Sequence, residues 1–132
     1  MSQENVELLR AVYEQYGRGN FRAGLDLFDP HVVLVARSDL PDADRRIGVD
    51  SISAYMREYL DPLTDVTWTA EEFIEADGSV VVAARQRGMG KGSKLSVDAC
   101  VFTVWTFRGR MVIRIEFFAD RAEALEAVGL RE

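Results

Sequence analysis

Apolar positions along the chain follow two different periods. In "SQENVELLRAVYEQYGRGN", Val6, Leu9, Tyr13 and Tyr16 fall on one helical face, widened by Leu8 and Val12. Glycines 17 and 19 stop that helix, and Asn20 can cap a short second one over "FRAGLDLF". "HVVLVAR" is β-branched and apolar, which predicts a strand over His31–Arg37. "DLPDADRRIG" reads as a polar loop. In "DSISAYMREYLD", Ile52, Tyr55, Met56, Tyr59 and Leu60 again share a helical face, with Asp50 or Ser51 as its cap.

Beyond Pro62 the period falls to two. "DVTWTAEEFIEA", "SVVVAARQRG", "KLSVDACVFTVWTF" and "MVIRIEFFA" are four strand-like runs. "DG" at Asp77–Gly78 is a hairpin signal, "GMGKGSK" a longer connection, and "RGR" a tight one. "DRAEALEAVG" closes the chain as a helix, with Asp120 and Glu123 at capping-box spacing and Gly129 as its stop. Helices come mostly first and a meander follows, an α+β order in one domain over residues 1–132.

Composition narrows the function classes. With 132 residues, 48% of them apolar, the chain can bury a sizeable core. A net charge of −6 with no basic stripe argues against nucleic acid as partner. No apolar run approaches the roughly 20 residues of a membrane span, and "MSQENVELLR" is no signal sequence, so a cytoplasmic location is expected. One cysteine, Cys100, forbids an internal disulfide, and its apolar strand predicts a buried thiol. One histidine, His31, excludes a histidine-based metal cluster. "GMGKGSK" lacks phosphate-loop spacing. No metal and no cofactor is expected.

Several segments together resemble the SnoaL-like branch of the NTF2-like superfamily. They are "YGRGNFRAGLDLFDPHVVL", "IGVDSISAYMREYL", "DGSVVVAARQRGMGKGS", "VFTVWTFRGRMV" and "FFADRAEALEAVGLRE". The resemblance implies a cone: a curved antiparallel or mixed sheet wrapped around N-terminal helices, leaving a deep pocket. Its relatives include ketosteroid isomerases, polyketide cyclases and non-catalytic binding modules, so fold alone does not fix function.

The isomerase pattern places its general base at Asp39 counting back from Gly48, or at Ala36 counting forward from Phe28. Its first-helix tyrosine falls at Val12, beside Tyr13. Its protonated acid falls at Thr103, which cannot supply a strong acid, so steroid isomerisation is not expected. The cyclase pattern, an Asp near a His on the last strand, falls either on Glu116 and Arg114 or on Phe117 and Ile115.

Strand pairing bears on Arg114 and Glu116. A two-residue turn within "FRGRM" puts both on the face of Val101, Thr103 and Trp105; a three-residue loop with a bulge at Gly109 reverses this. The first case is expected, placing Arg114 and Glu116 inward and Met111, Ile113, Ile115 and Phe117 outward. Helices can cover only one sheet face, so the apolar outer face predicts a homodimer.

Tyr13, Tyr16, Phe28 and Tyr55 are candidate pocket residues, together with Tyr59, Trp68, Trp105 and Phe118. Thr103 and Arg114 are candidate polar contacts. Glu116 and Asp39 are candidate general bases or acids. Arg85 and Arg87 read as an outward charged edge, His31 as structural or exposed. The expected function is binding of a small apolar organic molecule without clear catalytic machinery. The alternative is a cofactor-free isomerase, cyclase or hydrolase using a pocket carboxylate.

Overall fold

The computed structural model describes residues 2–36 and 44–130. Helix α1 (Ser2–Tyr16) leads to a short 3-10 turn at Leu25–Leu27 and strand β1 (Phe28–Ala36). Then come β2 (Asp44–Ile47), α2 (Val49–Leu60), β3 (Leu63–Ala76), β4 (Ser79–Gly90), β5 (Ser96–Arg108), β6 (Met111–Phe118) and α3 (Arg121–Ala127). Six strands form one curved sheet in the order β2-β1-β6-β5-β4-β3. β1 and β6 run parallel and all other neighbours antiparallel. This is the expected α+β cone.

The core lies between the concave face and the first two helices. Leu9, Val12, Tyr13 and Tyr16 of α1 and Ile52 of α2 are buried there against Val80, Val82, Trp105 and Ile115. The period-3.6 stripe of α1 and the period-2 rows of the strands meet as their patterns require. At Asp77–Gly78 both residues have positive φ (36° and 86°) and Ala76 pairs with Ser79, the two-residue hairpin the "DG" signal calls for.

Three local expectations fail for identifiable reasons. "FRAGLDLF" does not form a helix: Gly24 has φ +85°, and a Cβ there would stand 2.9 Å from Val12 Cγ2. Glycine lets the chain turn close under α1, and Asn20 accepts from the Arg22 N–H in a local turn rather than capping a helix. β2 was hidden in "DLPDADRRIG" because a four-residue charged edge strand carries no apolar alternation. Gly48, with no side-chain hydrogen bond, occupies the α2 cap position expected for Asp50 or Ser51.

The β5–β6 hairpin decides the faces of the last strand. Arg108 pairs with Met111 and Phe107 with Val112, so the turn has two residues, Gly109 and Arg110. One step later Thr106 pairs with Arg114, leaving Ile113 as an extra residue. This bulge offsets every later pair by one and exchanges the faces. Trp105 lies opposite Ile115 and Thr103 opposite Phe117, on the concave side. Arg114 and Glu116 lie opposite Thr106 and Val104, on the outer side. The inward placement expected for Arg114 and Glu116 is therefore corrected, as is the outward placement of Ile115 and Phe117.

The chain also supplies cover for its own outer face. Asp120 accepts from the Glu123 N–H at 3.1 Å to start α3, and Gly129 (φ +79°) ends it, both as the sequence implies. Ala124 and Leu125 of α3 pack on Val81, Val104 and Phe118. The premise that the helices cover one face only does not hold. No helix among the described residues is long and apolar enough to cross a membrane.

Candidate functional site

Helix α2 lies over the concave face with a cavity on either flank. The first, about 150 Å³, opens between Ser53 and Arg57 of α2 and the segment carrying Phe21, Arg22 and Leu25. Its floor is Tyr16, Phe28, Leu34, Trp105 and Ile115. The second, about 220 Å³, lies beside Tyr55 and Tyr59 and reaches Val101, Phe118 and Ala36. Met56, Trp68 and Phe117 line both and form the partition between them. Together the two spaces reach the lower end of the few hundred Å³ usual for ligand sites.

The partition is braced by one buried amide. Gln86 pairs with Trp68 across β4 and β3, so both point inward. Its Oε1 accepts from Trp68 Nε1–H at 3.0 Å and from the Tyr59 hydroxyl at 2.8 Å. Trp68 also packs edge-on against Tyr16, Phe21 and Phe117.

A second polar group lies behind the cavity floor. Trp105 donates Nε1–H to the Tyr13 hydroxyl oxygen at 3.1 Å. Burial pushes the Tyr13 phenol up to about 12, against the pull of the Trp105 N–H. Burial also raises Tyr16, helped by the neighbouring Tyr13. Thr103 Oγ1 is buried beside the Tyr13 hydroxyl. Thr103, where the isomerase pattern puts its acid, thus meets Tyr13, the neighbour of the Val12 position where that pattern puts its tyrosine, yet neither Tyr13 nor Thr103 lines either cavity.

The remaining candidates separate. Tyr16, Phe28, Trp68 and Trp105 line the first cavity; Tyr55, Tyr59, Trp68 and Phe118 line the second. Arg114 and Glu116 form a 3.2 Å ion pair on the outer face. Asp39 lies outside the described residues. Arg85 and Arg87 point outward as expected and pair with Asp98, Arg85 also with Glu71. The buried thiol is corrected: Cys100 faces outward opposite Arg85 and is exposed. Among the described residues no cavity-lining side chain is a carboxylate or a histidine, and no cluster suits a metal ion.

Sequence reasoning missed Phe117 and Ile115 because the bulge is silent in the residue pattern. It missed Arg22 because that residue was placed in a helix that does not form. Arg57 and Gln86 had signals. Ser53, Arg57 and Leu60 follow the helical period of α2, and the outward Arg85 and Arg87 force Gln86 inward.

Solved structures share this architecture. An NTF2-like protein of unknown function from Burkholderia pseudomallei superposes with a TM-score of 0.75 at 21% identity, covering 95% of this chain and 97% of its own. A provisional SnoaL-like polyketide cyclase from a Jannaschia species gives 0.78 at 18% identity, covering 99% and 95%. A protein of ketosteroid isomerase-like fold from Catenulispora acidiphila, in complex with trimethylamine, gives 0.69 at 18%, covering 98% and 95%. These likenesses speak for the fold alone. None of the curated proteins matches the chain in sequence. The model of the SnoaL-like domain matches residues 9–115, and the chain belongs to that family.

Proposed function

We propose that the protein binds a small, largely apolar organic molecule in the cavity between α2 and the sheet, as a binding module without acid–base machinery. One observation carries this reading: among the described residues the walls of both cavities are mainly aromatic and aliphatic, with Arg22, Ser53 and Arg57 bordering the first and no carboxylate or histidine in either. Such walls favour apolar ligands by desolvation and offer no proton acceptor of suitable strength. The test uses the protein's own fluorescence, since both of its tryptophans, Trp68 and Trp105, line the first cavity. Saturable quenching by neutral octanamide, abolished in Leu25→Trp, is expected. Linear quenching without saturation up to the solubility limit would overturn the reading.

A catalytic reading is kept for Asp39. Ala36, in the wall of the second cavity, precedes it by only three residues. Under that reading Asp39→Asn abolishes turnover of a substrate, whereas Glu116→Gln does not.

Pairing of two copies through the outer sheet face is a separate proposal. It is supported by the half-buried Val33 and Phe102. A solution-scattering mass of one chain at micromolar concentration would overturn it.

A further inference from the structure

We infer that the first cavity is built for an organic anion, an apolar body ending in a carboxylate or a similar acid group, and that Arg22 and Arg57 receive the charge at its mouth. The inference rests on the cavity being a ligand site at all.

Its basis is a contrast among the arginines. Most arginines of the described residues are paired with a carboxylate: Arg10 with Glu7, Arg18 with Glu14, Arg46 with Glu58, Arg108 with Asp29. Those of the outer face are paired likewise with Asp98, Glu116 and Glu72. Arg22 and Arg57, the two that line the cavity, have no such partner among the described residues. Arg45 and Arg110 also lack one among the described contacts, but neither lines either cavity, and the chain as a whole carries a net charge of −6. Asp61, the C-cap of α2, stands one turn beyond Arg57, yet the two form no salt bridge among the described contacts.

Position adds to charge. Arg57 follows Ser53 by one helical turn, and both border the opening. Arg22 faces them from the segment that Gly24 bends under α1, so the rim carries a cation on each side. Behind the rim, Phe28, Leu34, Trp105 and Ile115 leave nothing to pair with a ligand's charge. A charged group is therefore excluded from the interior and satisfied only at the mouth. Guanidinium groups match the planar oxygens of a carboxylate, and a hydroxyl beside them can donate a further hydrogen bond.

Matched pairs of probes separate the charge from the body: octanoate against octanamide, and 3-phenylpropanoate against 3-phenylpropanamide. Tryptophan fluorescence follows each titration at low salt. The acid of at least one pair is expected to bind about tenfold tighter than its amide, a preference that shrinks with added salt. In the Arg22→Gln, Arg57→Gln double variant the preference falls to about unity while the amide affinity stays unchanged, which also shows that the fold is intact. Equal binding of acid and amide, or an equal loss of both in the variant, overturns the inference and leaves the cavity reading standing. Failure of all four probes overturns both.

Discussion

Gln86 accepts the indole N–H of Trp68 at 3.0 Å, and this bond sets the orientation of the ring that divides the two cavities. Both side chains are buried, so neither can turn to water if the bond is lost. Gln86→Leu should therefore destabilise the protein by about 1–3 kcal/mol in urea unfolding, the usual cost of an orphaned buried donor. Tyr59→Phe should cost less than about 1 kcal/mol, because Tyr59 is exposed and Gln86 keeps its bond to Trp68. Equal costs for the two variants would deny the amide its bracing role.

Phe117 is the removable part of the partition. Its ring meets Trp68 edge-on at a centroid distance of 6.1 Å and borders both spaces. Phe117→Ala should join them into one elongated cavity. A half-buried ring lost in this way costs roughly 2 kcal/mol, below the figure for a fully buried one. The gain should appear in ligand length: biphenyl-4-carboxamide is expected to bind at least about tenfold tighter to the variant than to the parent, by the apolar area newly covered. An unchanged affinity for that probe would show that Met56 and Trp68 close the gap unaided.

Tyr13 couples stability to alkaline pH. Its phenol titrates near 10.0 when exposed and at about 12 in the fold, chiefly through burial. The folded state therefore holds the proton more tightly than the unfolded chain. The resulting stability is complete below pH 10 and is lost as pH rises toward 12. Tyr16 acts in the same direction. Tyr13→Phe should lower stability at pH 8 by about 1–3 kcal/mol, because the Trp105 N–H loses its acceptor. It should also reduce the further fall between pH 8 and pH 11, with Tyr16 supplying what remains. An alkaline fall identical to that of the parent would mean that Tyr13 ionises freely in the fold.

The elements legible in the sequence are those whose signal is local. The stripe of Val6, Leu9, Tyr13 and Tyr16, the "DG" hairpin and the Asp120 cap each follow from neighbouring residues alone, and each stands in the structure. The aromatic lining was readable in part, since Trp68 and Trp105 are large and Trp68 stands between Thr67 and Thr69 in an alternating run. What escaped depends on contacts between distant segments. Gly24 stands at a left-handed turn where a side chain would meet Val12, a contact from another segment that the local sequence does not report. α3 covers Val81 and Val104 from far along the chain, which no periodicity reports. The bulge at Ile113 coincides with a register shift on the other side of β6, where the β1–β6 pairing is irregular between Phe28 and Val33. A single extra residue there rotates the strand, and with it the whole assignment of inner and outer side chains.

That rotation yields the sharpest test of the site. Glu116 lies opposite Val104 and Val35 on the outer face, paired with Arg114 at 3.2 Å, while Phe117 next to it lines both cavities. Glu116→Gln should change the affinity of octanamide by less than about twofold. Arg114→Ala should do the same and cost less than about 1 kcal/mol, since its side chain is 36% exposed and solvent weakens the pair. Deleting Ile113 removes the extra residue and keeps every later pair, Thr106 with Arg114 through Phe102 with Phe118. The deletion variant should therefore fold with Ile115 and Phe117 still inward and still bind octanamide. The alternative register makes the opposite prediction: with Glu116 on the concave side, Glu116→Gln alters binding and the deletion abolishes it.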